Sequence, residues 1–261
     1  MRSLSTAATG MLAQQLNVEV ISNNIANMNT TGFKRQRAEF QDLLYQNLQR
    51  TGAQSSDTGT VVPSGVEVGV GVKAASVYRV HEQGNLVSTD NPYDVAIQGN
   101  GFFRIQLPSG EDAYTRSGSF QLSPAGQLVT TDGYVVSPGI TIPADAVDVS
   151  INRSGEIEVK TDGAVEATVV GQLDLVTFFN EAGLEAIGDN LFKQTPASGD
   201  PSVSVPGSPG YGSILQGFLE TSNVNAVSEI TQLIAAQRAY DMNSRVITTS
   251  DEMLRTTTTL R

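Results

Sequence analysis

The chain of 261 residues is predicted to have an α+β fold. Long N- and C-terminal helices pair as a coiled-coil stem around an inserted antiparallel all-β domain, sandwich-like or barrel-like, with an extended connecting region. Three observations predict this fold. Both chain ends carry apolar residues seven positions apart, the period of a coiled coil. All 10 prolines and most of the 25 glycines lie within 51–219, and both residue types break helices. Within that region, apolar and polar residues alternate between turn signals about ten residues apart.

The N-terminal helix is predicted from two rows of residues with heptad spacing. The first row is Leu4, Met11, Val18 and Ile25, and the second, three residues further along, is Ala7, Gln14, Ile21 and Met28. Nearly all of these residues are apolar, which is the pattern of a coiled-coil seam. The alternative is a single amphipathic helix that packs on its own globular core.

The C-terminal helix, over 225–255, is predicted from a third row with the same spacing. This row consists of Ala226, Leu233, Tyr240, Ile247 and Leu254. Asn225 or Ser222 can cap its N-terminus, and Glu229 lies near the positively polarised first turn. Such a helix extends about 45 Å. The two terminal helices can bury their seams only on each other or on neighbouring chains.

Both terminal helices also carry apolar residues away from the predicted seams, namely Leu12, Leu16, Ile234 and Val246. A monomer would leave these side chains in water, whereas burying one of them contributes roughly 1.5–3 kcal/mol. We therefore expect a homo-oligomer. Contacts that join different faces without closing a ring generate a helical filament.

The end of the first helix is rich in side-chain amides. Within "ISNNIANMNTTGFKR" these are Asn23, Asn24, Asn27 and Asn29. Gly32 can adopt the positive φ that ends a helix. Asparagine is a mediocre helix former, so we expect each amide to bond a neighbouring subunit and fix axial register, as a buried Asn does in coiled coils. This stretch is the predicted junction between the helical core and the outer body.

The middle region is predicted to form antiparallel strands, with linkers at 49–65 and 195–212 that are rich in Gly, Ser, Pro and Thr. The predicted division of the chain has three parts: a coiled-coil core of 1–35 with 220–261, a connecting extended or β region of 36–93 with 195–219, and an outer antiparallel β domain of 94–194.

The composition excludes several kinds of chemistry. There is no cysteine, so neither disulfides nor cysteine-ligated metals are available, and a net charge of −11 argues against nonspecific nucleic-acid binding. No apolar run is long enough for a membrane span, and no cleavable signal is recognised.

The single histidine, His81, is interpreted as a surface or turn residue. The pairs Gly69/Gly71 and Gly99/Gly101 lack the rest of a phosphate loop and are interpreted as bulges or tight strand ends. Neither a catalytic, a cofactor nor a metal site is predicted, and the chain is not expected to be an enzyme.

Four stretches carry a family resemblance over nearly the whole chain. They are "ISNNIANMNTTGFKRQRAEF" (21–40), "DVAIQGNGFF" (94–103), "YTRSGSFQLSPAGQLVTTDGYVV" (114–136) and "ETSNVNAVSEITQLIAAQRAYDMNSRVITTSDEML" (220–254). Together they resemble the bacterial flagellar rod and hook proteins. The first stretch supplies the junction residues Asn23, Asn24, Asn27, Asn29, Gly32, Phe33 and Lys34. The last supplies the C-terminal motif residues Ser222, Asn223, Arg238, Tyr240 and Asn243.

Within this family, the length and the segment 36–65 resemble the distal rod members. The resemblance implies a structural subunit of a rigid helical tube that transmits torque from motor to hook and encloses an export channel. It also implies partners: proximal rod subunits, hook subunits and their adaptor, the surrounding peptidoglycan- and outer-membrane-ring proteins, and the flagellar type III export apparatus. The implied location is the basal body across the periplasm, reached without a cleaved signal peptide.

Several alternatives stay open at this stage. The chain could be a hook or proximal-rod member of the same family, a flagellin-like or adhesin-like filament subunit, or, more distantly, a secreted β-domain binder or hydrolase. Arg116 and Arg238 could form ion pairs between subunits or could simply lie on a solvated surface.

Overall fold

The computed structural model describes residues 2–49, 64–162 and 166–259, so most of the predicted linker 49–65 lies outside the described residues. The chain divides into two compact units. The helical unit contains the described residues of Met1–Ile25, Gln36–Tyr78 and Asn225–Arg261, and the β unit contains those of Ala26–Arg35 and Arg79–Val224.

Two long helices dominate the helical unit: α1 spans Arg2–Ala26 and α2 spans Ala226–Thr259. Both terminal helices are therefore confirmed, and α2 continues beyond its predicted end. Asn225 caps α2, because its side-chain Oδ1 accepts a hydrogen bond from the Ser228 amide at 3.2 Å. Ser222 instead accepts a bond from the Val224 amide at 3.3 Å, before the helix begins.

Four strands complete the helical unit: β1 (Gln36–Asp42), β2 (Tyr45–Gln49), β3 (Val66–Gly69) and β4 (Val72–Arg79). They form two-stranded sheets, β1 with β4 and β2 with β3. Such small sheets are marginally stable alone and need support. Part of that support comes from α1, since the Val72 amide donates to Thr9 Oγ1 at 3.3 Å. A Cβ at Gly71 would collide with Thr9, so glycine is required at this approach.

The β unit contains sixteen strands within the described residues. In chain order they are β5 (Leu86–Ser88), β6 (Val95–Gln98), β7 (Phe102–Gln106), β8 (Asp112–Thr115), β9 (Gln121–Leu122), β10 (Leu128–Val129), β11 (Val135–Val136), β12 (Ala146–Ile151), β13 (Glu156–Thr161), β14 (Thr168–Gln172), β15 (Leu175–Thr177), β16 (Glu185–Gly188), β17 (Leu191–Lys193), β18 (Ser202–Ser204), β19 (Ser213–Gln216) and β20 (Phe218–Glu220). A short 3-10 helix spans Glu181–Gly183.

These strands pair antiparallel, as predicted. A nine-stranded sheet has the order β16-β17-β8-β7-β11-β10-β9, and β15 joins β7 to β18. A three-stranded sheet has the order β12-β13-β14, and the ribbons β5–β20 and β6–β19 complete the unit. In the ribbons, strands near residue 90 pair with strands near residue 215, which brings distant parts of the sequence together.

Strand β7 separates two cores, because successive side chains point to opposite faces of a sheet. Phe103 joins a large cluster that includes Leu128 of the same sheet and Ile157 of the three-stranded sheet. Phe102, on the other face, joins a smaller aromatic cluster with Tyr114 and four other residues. Both faces of β7 are therefore buried, which explains its nearly continuous apolar run "FFRI".

Candidate functional site: the terminal helix pair and the charged junction

The terminal helices touch along one line in the helical unit. Ser3 Oγ lies 3.4 Å from Ser250 Oγ, and Asn24 Nδ2 donates to Glu229 Oε2 at 3.2 Å. Between these contacts, Gly10 faces the Asn243 side chain so closely that a Cβ would lie 2.8 Å from Nδ2. The contacts lie at residues 3, 10 and 24 of α1 and at residues 250, 243 and 229 of α2, so successive contacts are seven and fourteen residues apart on both helices. The residue numbers rise along α1 while they fall along α2. The helices are therefore antiparallel and keep a heptad register.

Small and polar residues form this line, one position before the first predicted row. On α2 the buried residues are Glu229, Ala236 and Ser250, whereas the predicted row member Tyr240 is 43% exposed. The apolar rows flank the line. Leu4, Met11, Val18, Ile25, Leu233 and Ile247 are half-buried, and Leu254 is exposed. Small side chains let two helices approach closely, and the observed contacts lie one position before the first predicted row. In the second predicted row, Ala7 and Ile21 are buried on α1.

Asn24 links three segments of the helical unit. Its Nδ2 donates to Gln36 O at 2.8 Å as well as to Glu229, and its Oδ1 accepts from Gln36 N at 2.8 Å. The side chain is only 1% exposed. The expectation that this amide bonds a neighbouring subunit is therefore wrong for Asn24. The backbone of Gln36 at the start of β1 needs hydrogen-bond partners, and Asn24 supplies them from within the chain.

The other junction residues lie around the turn that follows α1. Asn23 is exposed in the last helical turn, and Asn27 and Asn29 lie in the turn itself. Gly32 has the expected positive φ of 69°, but it lies six residues beyond the helix end. Within the β unit, a Cβ at Gly32 would lie 2.7 Å from the Ser117 amide nitrogen, so glycine permits this close packing.

Lys34 opens a buried charged cluster in the β unit. Its Nζ lies 2.6 Å from Glu220 Oε1 and donates to Glu82 O at 2.7 Å. On the other side of the carboxylate, Arg116 Nε lies 2.6 Å from Glu220 Oε2. The side chains of Lys34, Arg116 and Glu220 are 2%, 5% and 1% exposed. Arg116 is therefore neither a partner between subunits nor a surface residue, in contrast to both expectations.

Backbone groups satisfy most of the remaining hydrogen-bonding capacity of the cluster. The Gly84 amide donates to Glu220 Oε1 at 2.8 Å, and the Arg116 guanidinium donates to the carbonyls of Ile97, Gly99 and Gly101. Gly99 and Gly101, at φ of 111° and 135°, lie between β6 and β7. These glycines mark tight strand ends, as interpreted from the sequence, and their conformations aim carbonyls at a buried cation.

The cluster shifts the titration of its members. Burial acts to raise the pKa of Glu220, but the charges of Arg116 and Lys34 and their hydrogen bonds outweigh it and lower that pKa. Burial lowers the pKa of Lys34, although Glu220 opposes the shift. His81 lies nearby, and burial together with the surrounding cations lowers its pKa to about 4. Its ring meets Phe102 edge-on at 5.6 Å, so it is packed rather than free at a surface.

The C-terminal motif residue Asn223 holds the same junction through backbone contacts. Its Oδ1 accepts from Arg35 N at 2.8 Å, and its Nδ2 donates to Val80 O and Glu82 O at 2.9 and 3.0 Å. The amide of Phe33 donates to Thr30 O at 3.3 Å. Lys34 and Asn223 come from opposite ends of the β unit's sequence. Both side chains donate a hydrogen bond to Glu82 O, which brings these two motif residues together.

A groove runs between α1 and α2 in the helical unit, with a volume of about 400 Å³. Its lining residues are Gln15, Val18, Glu19, Gln237, Tyr240 and Asp241. Two of them, Val18 and Tyr240, belong to the predicted assembly rows. Arg238, from the C-terminal motif, lies exposed on α2.

Sequence reasoning missed several residues of these sites. Nothing in the sequence marks Glu220 as the partner of two buried cations, and Gly10, Gln36 and Glu229 give no signal of their contacts. A usable signal was the second heptad line of small and polar residues at positions 3, 10 and 24. Among residues 2–49, 64–162 and 166–259, no cluster of His, Asp and Glu could hold a metal ion. In the same ranges, no helix combines the length and apolar character needed to cross a membrane.

Comparisons with known proteins point to one family. Residues 4–34 match the family described as flagella basal body rod protein, residues 96–159 match the flagellar hook protein FlgE/F/G D1 domain, and residues 215–260 match the flagellar basal body rod FlgEFG protein C-terminal region.

Full-length relatives agree with these matches. The chain is 63% identical over all of both chains to the flagellar basal-body rod protein FlgG of Caulobacter vibrioides. It is 54% identical to FlgG of Agrobacterium fabrum over 97% of each chain, and 40% identical to FlgG of Bacillus subtilis over 97% of each chain. A crystal structure of the Helicobacter pylori flagellar hook protein FlgE2 aligns with 72% of this chain and 43% of that one, at 15% identity and a TM-score of 0.25. That score is too low to compare the folds.

Proposed function

Because the chain belongs to the flagellar basal-body rod protein family and is a structural subunit of the distal rod, we propose that it assembles there into a helical tube that transmits torque and encloses an export channel. The family is structural, so the chain is not an enzyme. Its place is the basal body of the flagellum. That the tube crosses the periplasm, and that the subunit is exported without a cleaved signal, are parts of the proposal.

One observation carries the proposal: the terminal helices leave much of their apolar surface in water. Leu12 is 67% exposed on α1, and Val227 and Met242 are 76% and 62% exposed on α2. Burial of each such side chain contributes roughly 1.5–3 kcal/mol. Several of them, buried against several neighbours, can offset the entropy of association. A single chain with this surface is therefore best explained as one copy in a homo-oligomer.

The rest of the predicted organisation belongs to the proposal as well. Residues 1–35 and 220–261 form a coiled-coil core that contains the terminal helices. Residues 94–194 form the outer domain, and residues 36–93 with 195–219 connect it to the core. The proposed partners are proximal rod subunits, hook subunits and their adaptor, the peptidoglycan- and outer-membrane-ring proteins, and the type III export apparatus. Cofactors and nucleic acid have no part in this function.

Assembly of the purified chain tests the proposal. Concentrated protein should form straight tubes of helical symmetry in electron micrographs, and a sedimentation assay should give a critical concentration. Leu12→Ser/Met242→Ser should raise that concentration, because it removes two exposed apolar side chains from the helices. The matched control is Val147→Ser/Val169→Ser, which changes valines that are 70% and 59% exposed on the β unit. Monomers at every concentration, or a curved hook-like polymer, would contradict a distal rod subunit.

A further inference from the structure

A small cavity lies beside the charged cluster of the β unit, and its volume is about 40 Å³. The buried residues Lys34, Arg116 and Phe102 line its inner part, and the exposed residues Gln83 and Asn100 line it as well. A water molecule occupies about 30 Å³ in the liquid, so the cavity has room for one water or a very small cluster. It is too small for an organic ligand, because such sites measure about 300–1,000 Å³.

His81 lines the same cavity and has an unused hydrogen-bonding atom. Its Nδ1 is buried, and no atom within residues 2–49, 64–162 and 166–259 forms a hydrogen bond with it. Burial and the surrounding cations lower the pKa of His81 to about 4, so the ring is neutral at pH 7. Each nitrogen of a neutral imidazole either donates or accepts a hydrogen bond. Because a buried polar atom without a partner destabilises the folded state, Nδ1 calls for one.

Glu181 also lines the cavity, and it lacks a direct ionic partner. In the part of the chain that the structure describes, Lys34 and Arg116 form their ion pairs with Glu220 and not with Glu181. Burial raises the pKa of Glu181, and the charges of Arg116 and Lys34 act in the opposite direction. The cations therefore act on this carboxylate across a gap. Polar groups held beyond direct hydrogen-bond distance are commonly bridged by an ordered water.

Lys34 has a hydrogen-bond donor to spare. An ammonium group carries three N–H donors, and among the described residues two of them have acceptors, Glu220 Oε1 and Glu82 O. The cavity thus presents a cationic donor, a carboxylate acceptor and an imidazole nitrogen. A molecule must both donate and accept hydrogen bonds to meet all three. Chloride only accepts and would face the carboxylate with like charge, and a metal cation would face Lys34 and Arg116.

We propose that a buried water molecule in this cavity joins His81 Nδ1, the Glu181 carboxylate and the Lys34 ammonium group. The water satisfies the imidazole nitrogen in either tautomer, since it can donate to it or accept from it. It also links the 3-10 helix Glu181–Gly183 to the charged cluster. The inference concerns the interior of the β unit and goes beyond the proposed assembly.

Nuclear magnetic resonance of the His81 ring tests for this water. The chain has 1 histidine, so histidine labelling of the full-length chain gives a single ring without overlap. In dilute solution at pH 7, the proton on Cε1, the carbon bonded to Nδ1, should show a cross peak to water with the sign of a long-lived contact. Relaxation dispersion of oxygen-17 in the solvent should detect the same water, and this measurement does not respond to proton exchange from Lys34.

Two variants show whether Glu181 holds the water. Glu181→Leu removes the carboxylate acceptor, so it should abolish the cross peak and lower the number of long-lived waters by one. Glu185→Leu makes the same change at an exposed residue of β16 outside the cavity and should leave both signals unchanged. Circular dichroism of both variants should match the wild type. If Glu181→Leu does not fold, Glu181→Gln replaces it and should weaken the cross peak, because a neutral acceptor binds less strongly than a charged one.

Three outcomes would overturn this inference. The wild type could show no cross peak to water, or the cross peak could persist at full strength in folded Glu181→Leu. A His81 ring signal that shifts with added chloride at constant ionic strength would identify an anion in the cavity instead. Each of these outcomes leaves the proposed rod function standing, and a chain that forms no tubes would leave the water site standing.

Discussion

The two units of this chain bury apolar surface to very different extents. All of the largest fully buried side chains lie in the β unit, including Phe102, Phe103 and Leu175. In the helical unit, the 34-residue α2 buries only Glu229, Ala236 and Ser250. The β unit therefore has what it needs to be stable as a single chain. The helical unit buries Val20 and Ile21 of α1, but most of its other large apolar side chains are half-buried or exposed. Long helices gain most of their stability from packing, so the helical unit depends on neighbours that the β unit does not need.

The largest effect is expected from breaking the charged cluster of the β unit. Glu220→Gln keeps the shape of the side chain but leaves Lys34 and Arg116 buried without their shared counter-charge. Removal of one partner of a buried ion pair typically costs about 3–5 kcal/mol of the free energy of unfolding. Urea unfolding followed by tyrosine fluorescence should show this loss.

Lys193→Met is the matched control for this change. Lys193 lies 2.7 Å from Glu111, but both side chains are about half exposed, and such pairs contribute about 0–1 kcal/mol. Equal effects of the two substitutions would contradict the view that the buried cluster holds the β unit together.

The next effect concerns the pH dependence of the β unit. The pKa of His81 is lowered from 6.5 to about 4 in the folded chain, so the unfolded chain binds the proton more readily. The contribution of neutral His81 to the free energy of unfolding is therefore fully present above pH 6.5. It is lost as the pH falls towards 4, by up to about 3 kcal/mol. Urea unfolding at pH 7.5, 5.5 and 4.5 should show this decrease.

His81→Phe should flatten that dependence, since phenylalanine keeps the edge-on contact with Phe102 and cannot be protonated. Glu220 acts in a lower window: its folded pKa is lowered, so its contribution is lost only as the pH falls below the ordinary glutamate range. An unchanged slope between pH 6.5 and 4.5 in His81→Phe would rule out this histidine as the cause.

A smaller effect is expected in the helical unit from Asn24→Leu. The substitution removes hydrogen bonds to Gln36 and Glu229 and leaves these buried groups unpaired, which should cost about 1–3 kcal/mol. Hydrogen exchange at the Gln36 amide should accelerate in the monomer. Asn29→Leu, at an exposed turn position, should leave this exchange unchanged. Slow exchange in both variants would show that the Asn24 amide is not what protects the start of β1.

The smallest effect on stability is expected at Leu12, which is 67% exposed. Leu12→Ser should change the free energy of unfolding of the monomer by no more than about 0.5 kcal/mol. Ile21→Ser, in the same helix but at a 2% exposed side chain, should cost several-fold more. A large loss of monomer stability from Leu12→Ser would mean that α1 uses this side chain within its own unit, and the contrast between the units would weaken.

The sequence was sufficient to predict the helices and strands, but not the residues through which they contact one another. Heptad spacing predicted both helices, and turn residues predicted antiparallel strands. The position of the seam could not be read from large apolar residues, because Gly10 and Ser250 decide where the helices touch. The charged cluster was equally hidden, since Lys34 and Arg116 meet Glu220 only through the pairing of strands distant in sequence. Asn24 was singled out correctly as unusual, but its partner is the chain's own backbone.

The ion pair between Lys34 and Glu220 also affects the order in which the β unit can fold during synthesis. The two residues are separated by 186 positions, so a chain that emerges N-terminus first presents the ammonium group long before the carboxylate arrives. Until then, Lys34 and Arg116 favour an open, hydrated arrangement of their segments. The last part of the β unit to emerge therefore closes it. A chain that ends before Glu220 leaves both cations of the cluster without their shared counter-charge.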